Sequence, residues 1–148
     1  MAKIAVVEDN TAVREELCGF IAKYAQESGR KLDVTPFADG SQIVEPYRPG
    51  FDIIFLDIEM PRLGGMPTAE RIRQLDPEVV LIFVTNMAQY AIRGYEVDAL
   101  DFVLKPVSYY QFSTKLERAI ERLFVEVDKA YRDGANILVL TDRGVDEN

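Results

Sequence analysis

The sequence predicts an α/β fold, a doubly wound parallel sheet of five strands with helices on both faces. Short apolar runs of strand length alternate along the chain with longer amphipathic segments. The run 79–84 is continuously apolar, which is typical of a strand buried on both faces. Strands that alternate with helices are joined by right-handed crossovers, so the strands lie parallel and the helices cover both sides of the sheet.

Turn residues and hydrophobic periodicity give the boundary of each element in order. The first helix follows the strand at 3–7, and Ser28-Gly29 ends it. Asp39-Gly40 turns the chain into a short helix, and Pro67 lies where the third helix begins. The predicted strands are 3–7, 32–37, 51–56, 79–84 and 101–104, and the later helices are 41–47, 68–75, 88–96 and 108–131.

Composition excludes several classes of function. The net charge of −8 argues against direct binding to nucleic acid or an anionic membrane, and it suits a protein that binds cations. A single cysteine, Cys18, excludes an internal disulfide framework and fits the reducing cytoplasm, and no signal peptide or membrane span is predicted. The chain has no histidine, which removes histidine-based acid–base catalysis, phosphohistidine carriers and histidine metal sites.

Polar groups follow four of the five predicted strands. Glu8-Asp9 follows the first, Asp57 the third, Thr85 the fourth and Lys105-Pro106 the fifth. Ligands of open α/β sheets bind outside the carboxyl ends of the strands, near the point where the strand order reverses. These groups therefore predict one site at one edge of the sheet.

Clustered carboxylates repel one another unless they bind a cation or a proton. A hard divalent ion, Mg²⁺ or Mn²⁺, satisfies oxygen ligands of this kind. We expect Asp9 and Asp57 as direct ligands, the backbone carbonyl of Glu59 as a third, and Glu8 as an outer partner through water. Lys105 and Thr85 then offer a positive charge and a hydroxyl to an anion at the same place, which is the set of groups that stabilises a transferring phosphoryl group. In that scheme Asp57 is the nucleophile.

The ordered set of motifs resembles the receiver domain of bacterial two-component response regulators over roughly residues 2–124. The set comprises Glu8-Asp9, Asp57 followed by Met60-Pro61, Gly65, Thr85 and Lys105-Pro106. The resemblance implies a CheY-like, flavodoxin-like sheet of order 2-1-3-4-5 and Asp57 as the phosphoacceptor. It also implies Mg²⁺ on Asp9, Asp57 and the Glu59 carbonyl, phosphoryl contacts from Thr85 and Lys105, and a cis peptide between Lys105 and Pro106.

Several positions depart from the commonest receiver pattern or vary within it. Phe102 occupies the aromatic switch position where many receivers have tyrosine, so it has no hydroxyl to anchor either rotamer. Glu59 and Met87 lie two residues beyond Asp57 and Thr85, where receivers tune the rate of dephosphorylation.

The end of the chain predicts a linker and the start of a second domain. The apolar stripe of the last helix runs on to Val127 and Tyr131, past the usual end of a receiver. Asp133-Gly134 is predicted to end that helix, and 136–141 reads as a new strand. We therefore expect a receiver domain at 1–124, a helical linker at 125–135, and the start of a truncated β-rich output domain at 136–148. The sequence segments ALDFVLKP and ILVLTDRG resemble those of regulators of the LytTR type, whose output domain binds DNA.

The resemblance implies a signalling switch and no multiple-turnover enzyme. A histidine kinase is the implied donor, a homodimer could form through the predicted fourth helix and fifth strand, and DNA would be bound only through the missing output domain. One alternative is a Mg²⁺-dependent phosphatase of the haloacid dehalogenase type, which also uses an aspartate at a strand end. The other is a receiver-like interaction module that works without phosphorylation.

Overall fold

The computed structural model describes residues 1–60, 62–86 and 92–138. The strands are β1 (Ala2–Val7), β2 (Leu32–Phe37), β3 (Ile53–Leu56), β4 (Val80–Thr85) and β5 (Asp101–Leu104). The helices are α1 (Thr11–Ser28), α2 (Gly40–Val44), α3 (Gly65–Leu75) and α4 (Tyr109–Leu138), and a 3₁₀ helix spans Ile92–Val97. The five strands are all parallel in the order β2-β1-β3-β4-β5, which confirms the predicted fold class.

The sheet separates two layers of the core, because successive residues of a strand point to opposite faces. Ile4 and Val6 of β1 pack toward α1 and α4, whereas Ala5 and Val7 pack toward α2 and α3. The strands β3 and β4 divide their side chains in the same way, and every residue in both strands is buried. A sheet buried on both faces leaves only its ends for a polar site.

Helix α1 ends as its sequence predicts. The Asn10 side chain accepts a hydrogen bond from the Val13 amide at 3.1 Å and so caps the first turn. Gly29 closes the helix with a left-handed φ of 75°, and its amide donates to the Ala25 carbonyl. The Asn10 cap lies directly after Glu8 and Asp9, so it fixes the start of α1 beside the acidic residues.

The predicted helix at 88–96 differs from what the structure describes. Residues 87–91, with Met87 and Ala88 among them, lie outside the described residues, and Ile92–Val97 is a 3₁₀ helix. Gly94 lies inside this segment and lowers its helix propensity, and Asp98 follows it with a positive φ of 54°. Over Ile92–Val97 the chain is therefore wound more tightly than the α-helix predicted there.

Helix α4 runs past the boundary predicted at Asp133-Gly134 and continues to Leu138. The strand predicted at 136–141 is thus wrong for residues 136–138, and the rest of it lies outside the described residues. A lone strand has no neighbour for its backbone groups, whereas a helix satisfies them internally. Among the described helices, α4 included, none has the length and apolar character needed to cross a membrane.

Candidate functional site

The three carboxylates and the lysine of the predicted site lie together at the carboxyl edge of the sheet. The amide of Asp57 donates to the Val7 carbonyl at 3.0 Å, and the amide of Lys105 donates to the Thr85 carbonyl at 2.8 Å. These bonds continue the parallel ladder one residue past the strands. The backbones of the site residues are therefore held by the sheet itself.

Three carboxylates form the centre of the site. One oxygen from each of Glu8, Asp9 and Asp57 lies within 4.8 Å of the other two. Glu8 is only 1% exposed and Asp57 only 5%, whereas Asp9 is exposed to solvent. The group thus has two buried members and one that faces outward.

Lys105 brings a positive charge to the buried pair. Its Nζ lies 2.8 Å from Glu8 Oε1 and 3.4 Å from Asp57 Oδ2. Burial by itself would lower the pKa of Lys105, yet its contacts with Glu8 and Asp57 outweigh this and raise the pKa above its usual value. Lys105 is therefore firmly cationic at neutral pH.

Burial also raises the pKa of both carboxylates. For Glu8 the neighbouring charge of Asp57 adds to the effect of burial, and the Lys105 ammonium opposes it. For Asp57, the Lys105 ammonium and the backbone amide of Glu59 oppose the rise that burial causes. Each carboxylate is thus held in an environment that disfavours its charge unless a further cation is near.

This donor set fits a hard divalent cation. One ammonium among three carboxylates leaves negative charge uncompensated, and oxygen ligands are those that Mg²⁺ and Mn²⁺ take. Within the described part of the chain, the buried Glu8 Oε1 forms an ion pair with Lys105 Nζ at 2.8 Å and accepts no other hydrogen bond. Asp9 and Asp57 could serve as ligands, with Glu8 beside them.

The remaining predicted residues lie on β4 and β5, directly after β5, or outside the described residues. Thr85 ends β4 and is 1% exposed. Phe102 is partly buried on the α2–α3 side of the sheet, opposite Phe83 in the β4–β5 register. The peptide bond between Lys105 and Pro106 is cis. Met87 lies outside the described residues.

The loop after Asp57 passes very close to Gly65. The Gly65 amide donates to the Ile58 carbonyl at 2.7 Å. A β-carbon added at Gly65 would lie 2.2 Å from the Asp57 carbonyl oxygen and 2.7 Å from the Ile58 Cα. Only glycine fits at this position without displacing the backbone that carries Asp57.

Arg14 belongs to the site, although the sequence motifs do not point to it. Its guanidinium donates to the Glu8 carbonyl at 2.7 Å and to the Asp9 carbonyl at 3.4 Å. An arginine in the first turn of a helix opposes the helix dipole, and this unfavourable placement is the signal that marks it in the sequence. Arg14 thus holds the backbone of both acidic residues.

Asp39 is the second residue that the motifs do not reveal. The sequence predicts only a turn at Asp39-Gly40, whereas the buried carboxylate also binds the amides of Arg62 and Leu63 in the loop after β3. Its partners lie 23 and 24 residues away along the chain, a separation that no local pattern indicates.

Solved structures share this fold over most of their length. The non-phosphorylated HemR receiver domain from Leptospira biflexa aligns with a TM-score of 0.70 and 30% identity, covering 81% of this chain and 94% of that one. TrrA from Thermotoga maritima, solved in complex with Mg²⁺ and BeF, aligns with a TM-score of 0.66 and 25% identity, covering 80% and 99%.

Curated relatives agree with the structural matches. The transcriptional regulatory protein BtsR from Escherichia coli K12 is 33% identical over 133 residues, which are 87% of this chain and 51% of BtsR. The sensory transduction protein LytT from Oceanobacillus iheyensis is 32% identical over 121 residues, 78% of this chain and 46% of LytT. The chain therefore spans about half the length of these relatives. The family model of the response regulator receiver domain matches residues 4–117, and the chain belongs to that family.

Proposed function

We propose that this chain is a phosphoacceptor switch of a two-component system and that Asp57 accepts the phosphoryl group. The observation that carries the proposal is the buried Asp57 carboxylate, held with Glu8 and Asp9 and paired with Lys105 at the carboxyl edge of a receiver fold. Asp9, whose carboxylate lies beside that of Asp57, is exposed to solvent, and the sheet holds the Asp57 backbone.

The transfer itself requires a donor outside this chain. An oxygen of the Asp57 carboxylate attacks the phosphorus of a phosphohistidine, the phosphorus–nitrogen bond breaks, and its electron pair returns to the imidazole. The chain contains no histidine, so a histidine kinase is the donor we propose. The cytoplasm, where such a donor exposes its phosphohistidine, is the location we infer.

Asp9, Asp57 and the Glu59 carbonyl would hold Mg²⁺ or Mn²⁺, with Glu8 as an outer partner through water. When bound, the ion neutralises charge on the phosphoryl oxygens and on the carboxylate group. Lys105 supplies a fixed ammonium for one phosphoryl oxygen, and the buried Thr85 at the end of β4 supplies a hydroxyl. The Glu59 side chain is exposed and lies two residues beyond Asp57, and Glu59, together with Met87, is proposed to set the phosphate lifetime.

The output follows from a change on the β4–β5 side of the sheet. A shift of Thr85 toward the phosphoryl group opens space that Phe102 can enter, and this alters the face formed by β5 and the segment before it. Leu104 on that strand is 42% exposed, and Tyr110 nearby in the chain is 78% exposed, so apolar surface is available for a homodimer. DNA binding is proposed only for a LytTR-type output domain outside the described residues, with 125–135 as its linker.

The proposal is tested by intact mass after incubation with acetyl phosphate, with Mg²⁺ or with a chelator. The wild type is expected to gain one phosphoryl group only when Mg²⁺ is present, and Asp57→Asn is expected to gain none. Asp33→Asn, which removes an exposed carboxylate of β2, is the matched control and should behave as the wild type. Equal phosphorylation of Asp57→Asn would overturn the assignment.

A further inference from the structure

The loop that connects Asp57 to α3 carries Glu59, whose backbone is the proposed third metal ligand. On one side this loop is held by the sheet through the Asp57 amide and by the bond from the Gly65 amide to the Ile58 carbonyl. Glu59 and Met60 follow these two hydrogen bonds in the chain and precede Arg62 and Leu63, whose amides are bound next. The position of the Glu59 carbonyl therefore depends on what holds the far side of the loop.

Asp39 holds that far side. Its Oδ1 accepts from the Arg62 amide at 3.1 Å, and its Oδ2 accepts from the Leu63 amide at 3.1 Å. The same Oδ2 accepts from the Ser41 amide at 2.9 Å, so one carboxylate caps α2 and also binds the loop. Asp39 is only 6% exposed.

The charge of Asp39 is stabilised by these amides. Burial alone would raise its pKa, yet the amides of Ser41, Arg62 and Leu63 lower it below its usual value. Two oxygens that serve three backbone donors need a full carboxylate, because the amide of asparagine presents only one acceptor oxygen.

Close packing around Gly40 makes the connection stiff. A β-carbon at Gly40 would lie 1.8 Å from Thr68 Oγ1 and 2.6 Å from the Leu63 carbonyl oxygen, so the start of α2 touches the end of the loop directly. No side chain therefore fits at position 40 between α2 and the loop. A groove of about 600 Å³ lined by Asp9, Asp39 and Arg62 shows that this contact borders the acidic site.

We infer that Asp39 is a positioning residue for the metal: by binding the Arg62 and Leu63 amides it sets the Glu59 backbone at the distance from Asp57 that Mg²⁺ requires. The inference rests on the proposed function, because it assigns Asp39 a role at the same site. It goes beyond that function by making the β2–α2 turn, which contributes no proposed ligand, a determinant of Mg²⁺ affinity.

The test compares Mg²⁺ binding by calorimetry in the full 148-residue chain and in two variants. Asp39→Asn keeps the size of the side chain but turns an amide group toward backbone donors. Asp39→Ser keeps a good cap for α2 but is too short to reach Arg62 and Leu63. Both variants are expected to bind Mg²⁺ about ten-fold more weakly, the lower end of what loss of a supporting partner costs a metal site.

Tyr47→Phe is the matched control for stability alone. The hydroxyl of the buried Tyr47 donates to Asp76 Oδ2 at 2.7 Å. Asp76 precedes the first residue of β4, so this bond lies at the amino end of the strands, opposite to Asp57. This variant should lose stability and keep the wild-type Mg²⁺ affinity. An Mg²⁺ affinity equal to that of the wild type in Asp39→Ser would overturn the inference, and Asp39→Ser decides the matter if Asp39→Asn fails to fold.

Two further readouts separate this inference from the proposed function. The Arg62 and Leu63 amide hydrogens should exchange faster in Asp39→Ser even without Mg²⁺. The rate of phosphorylation by acetyl phosphate should fall at low Mg²⁺ and return to the wild-type rate at saturating Mg²⁺. If the wild type itself were never phosphorylated, the proposed function would fail, whereas the Mg²⁺ affinities and the amide exchange would still decide the role of Asp39.

Discussion

At the scale of single residues, the site contains buried carboxylates whose negative charge needs a nearby cation. Glu8 and Asp57 are buried, and burial raises the pKa of both. Lys105 is the cation that the described structure places between them, 2.8 Å from one and 3.4 Å from the other. We therefore expect the carboxylates to bind a second cation, because added positive charge reduces the repulsion that remains between them.

Replacing Lys105 with methionine should therefore expose this dependence. Without Mg²⁺, the free energy of unfolding is expected to fall by about 3 kcal/mol, since breaking a buried pair leaves carboxylates uncompensated. Added Mg²⁺ should restore part of the loss. Urea unfolding measures both values, and Lys31→Met, at an exposed position, is the control. A Lys105→Met protein as stable as the wild type in a chelator would contradict the role given to this pair.

Gly65→Ala tests how closely the backbone of the acceptor is packed. The new β-carbon would lie 2.2 Å from the Asp57 carbonyl oxygen, so the loop must move. Overpacking of this kind is expected to lower the free energy of unfolding by about 1–3 kcal/mol and to slow phosphorylation at Asp57.

The matched control for Gly65→Ala is Gly19→Ala in the middle of α1. A β-carbon at Gly19 meets nothing within 4 Å, and alanine should stabilise the helix by about 0.5–1 kcal/mol. Equal effects of the two substitutions in urea unfolding would show that Gly65 is not constrained by Asp57.

The site residues at the strand ends were predictable because each charged or hydroxyl residue directly follows, or ends, a recognisable strand in the sequence. Asp57 follows a fully buried strand, and Lys105 follows the last strand directly. Arg14 and Asp39 were missed for a different reason. Their side chains bind backbone groups, which leave no motif of residue types, and the helix-start position of Arg14 is too weak a signal to identify a site residue by itself.

At the scale of elements, the sheet was more predictable than the segments that flank it. The predicted ranges 32–37 and 101–104 match β2 and β5, since apolar strands bounded by turn residues have clear ends. Within the described residues, the helix predicted at 88–96 is a 3₁₀ helix over Ile92–Val97, and the strand predicted at 136–141 is helical at residues 136–138. Gly94 lowers the helix propensity of the first segment, and a helix satisfies the backbone groups of the second internally. Hydrophobic periodicity reports neither effect.

The continuous α4 helix gives a prediction at this scale. Among the α4 side chains that the structure describes, residues 109–124, the buried ones are Phe112, Leu116, Ala119 and Ile120. A chain that ends at residue 124 should therefore keep the unfolding midpoint and Mg²⁺ affinity of the full chain, while its far-ultraviolet circular dichroism loses the helical signal of residues 125–138. A large drop in the midpoint would show that residues 125–138 belong to the receiver core.

At the scale of the whole molecule, the chain is acidic, and three of its carboxylates lie together at the carboxyl edge of the sheet. A cation and a phosphoryl group are proposed to bind there. The net charge of −8 disfavours nucleic acid as a direct partner. The family match over residues 4–117 agrees with a signalling role, and the chain spans about half of relatives named as transcriptional and sensory regulators. We propose that phosphorylation at the carboxyl edge of the sheet changes the face formed by β5, and that this change transmits the signal.

The most direct test maps the phosphorylated position itself, because three carboxylates within 4.8 Å compete for the role of nucleophile. Borohydride reduces an aspartyl phosphate to homoserine, and tandem mass spectrometry then locates the reduced residue. After treatment with acetyl phosphate and Mg²⁺, we predict homoserine at position 57 and unmodified Glu8 and Asp9. Reduction at Asp9 or Glu8, or at no carboxylate in this group, would contradict the assignment of Asp57 as the phosphoacceptor.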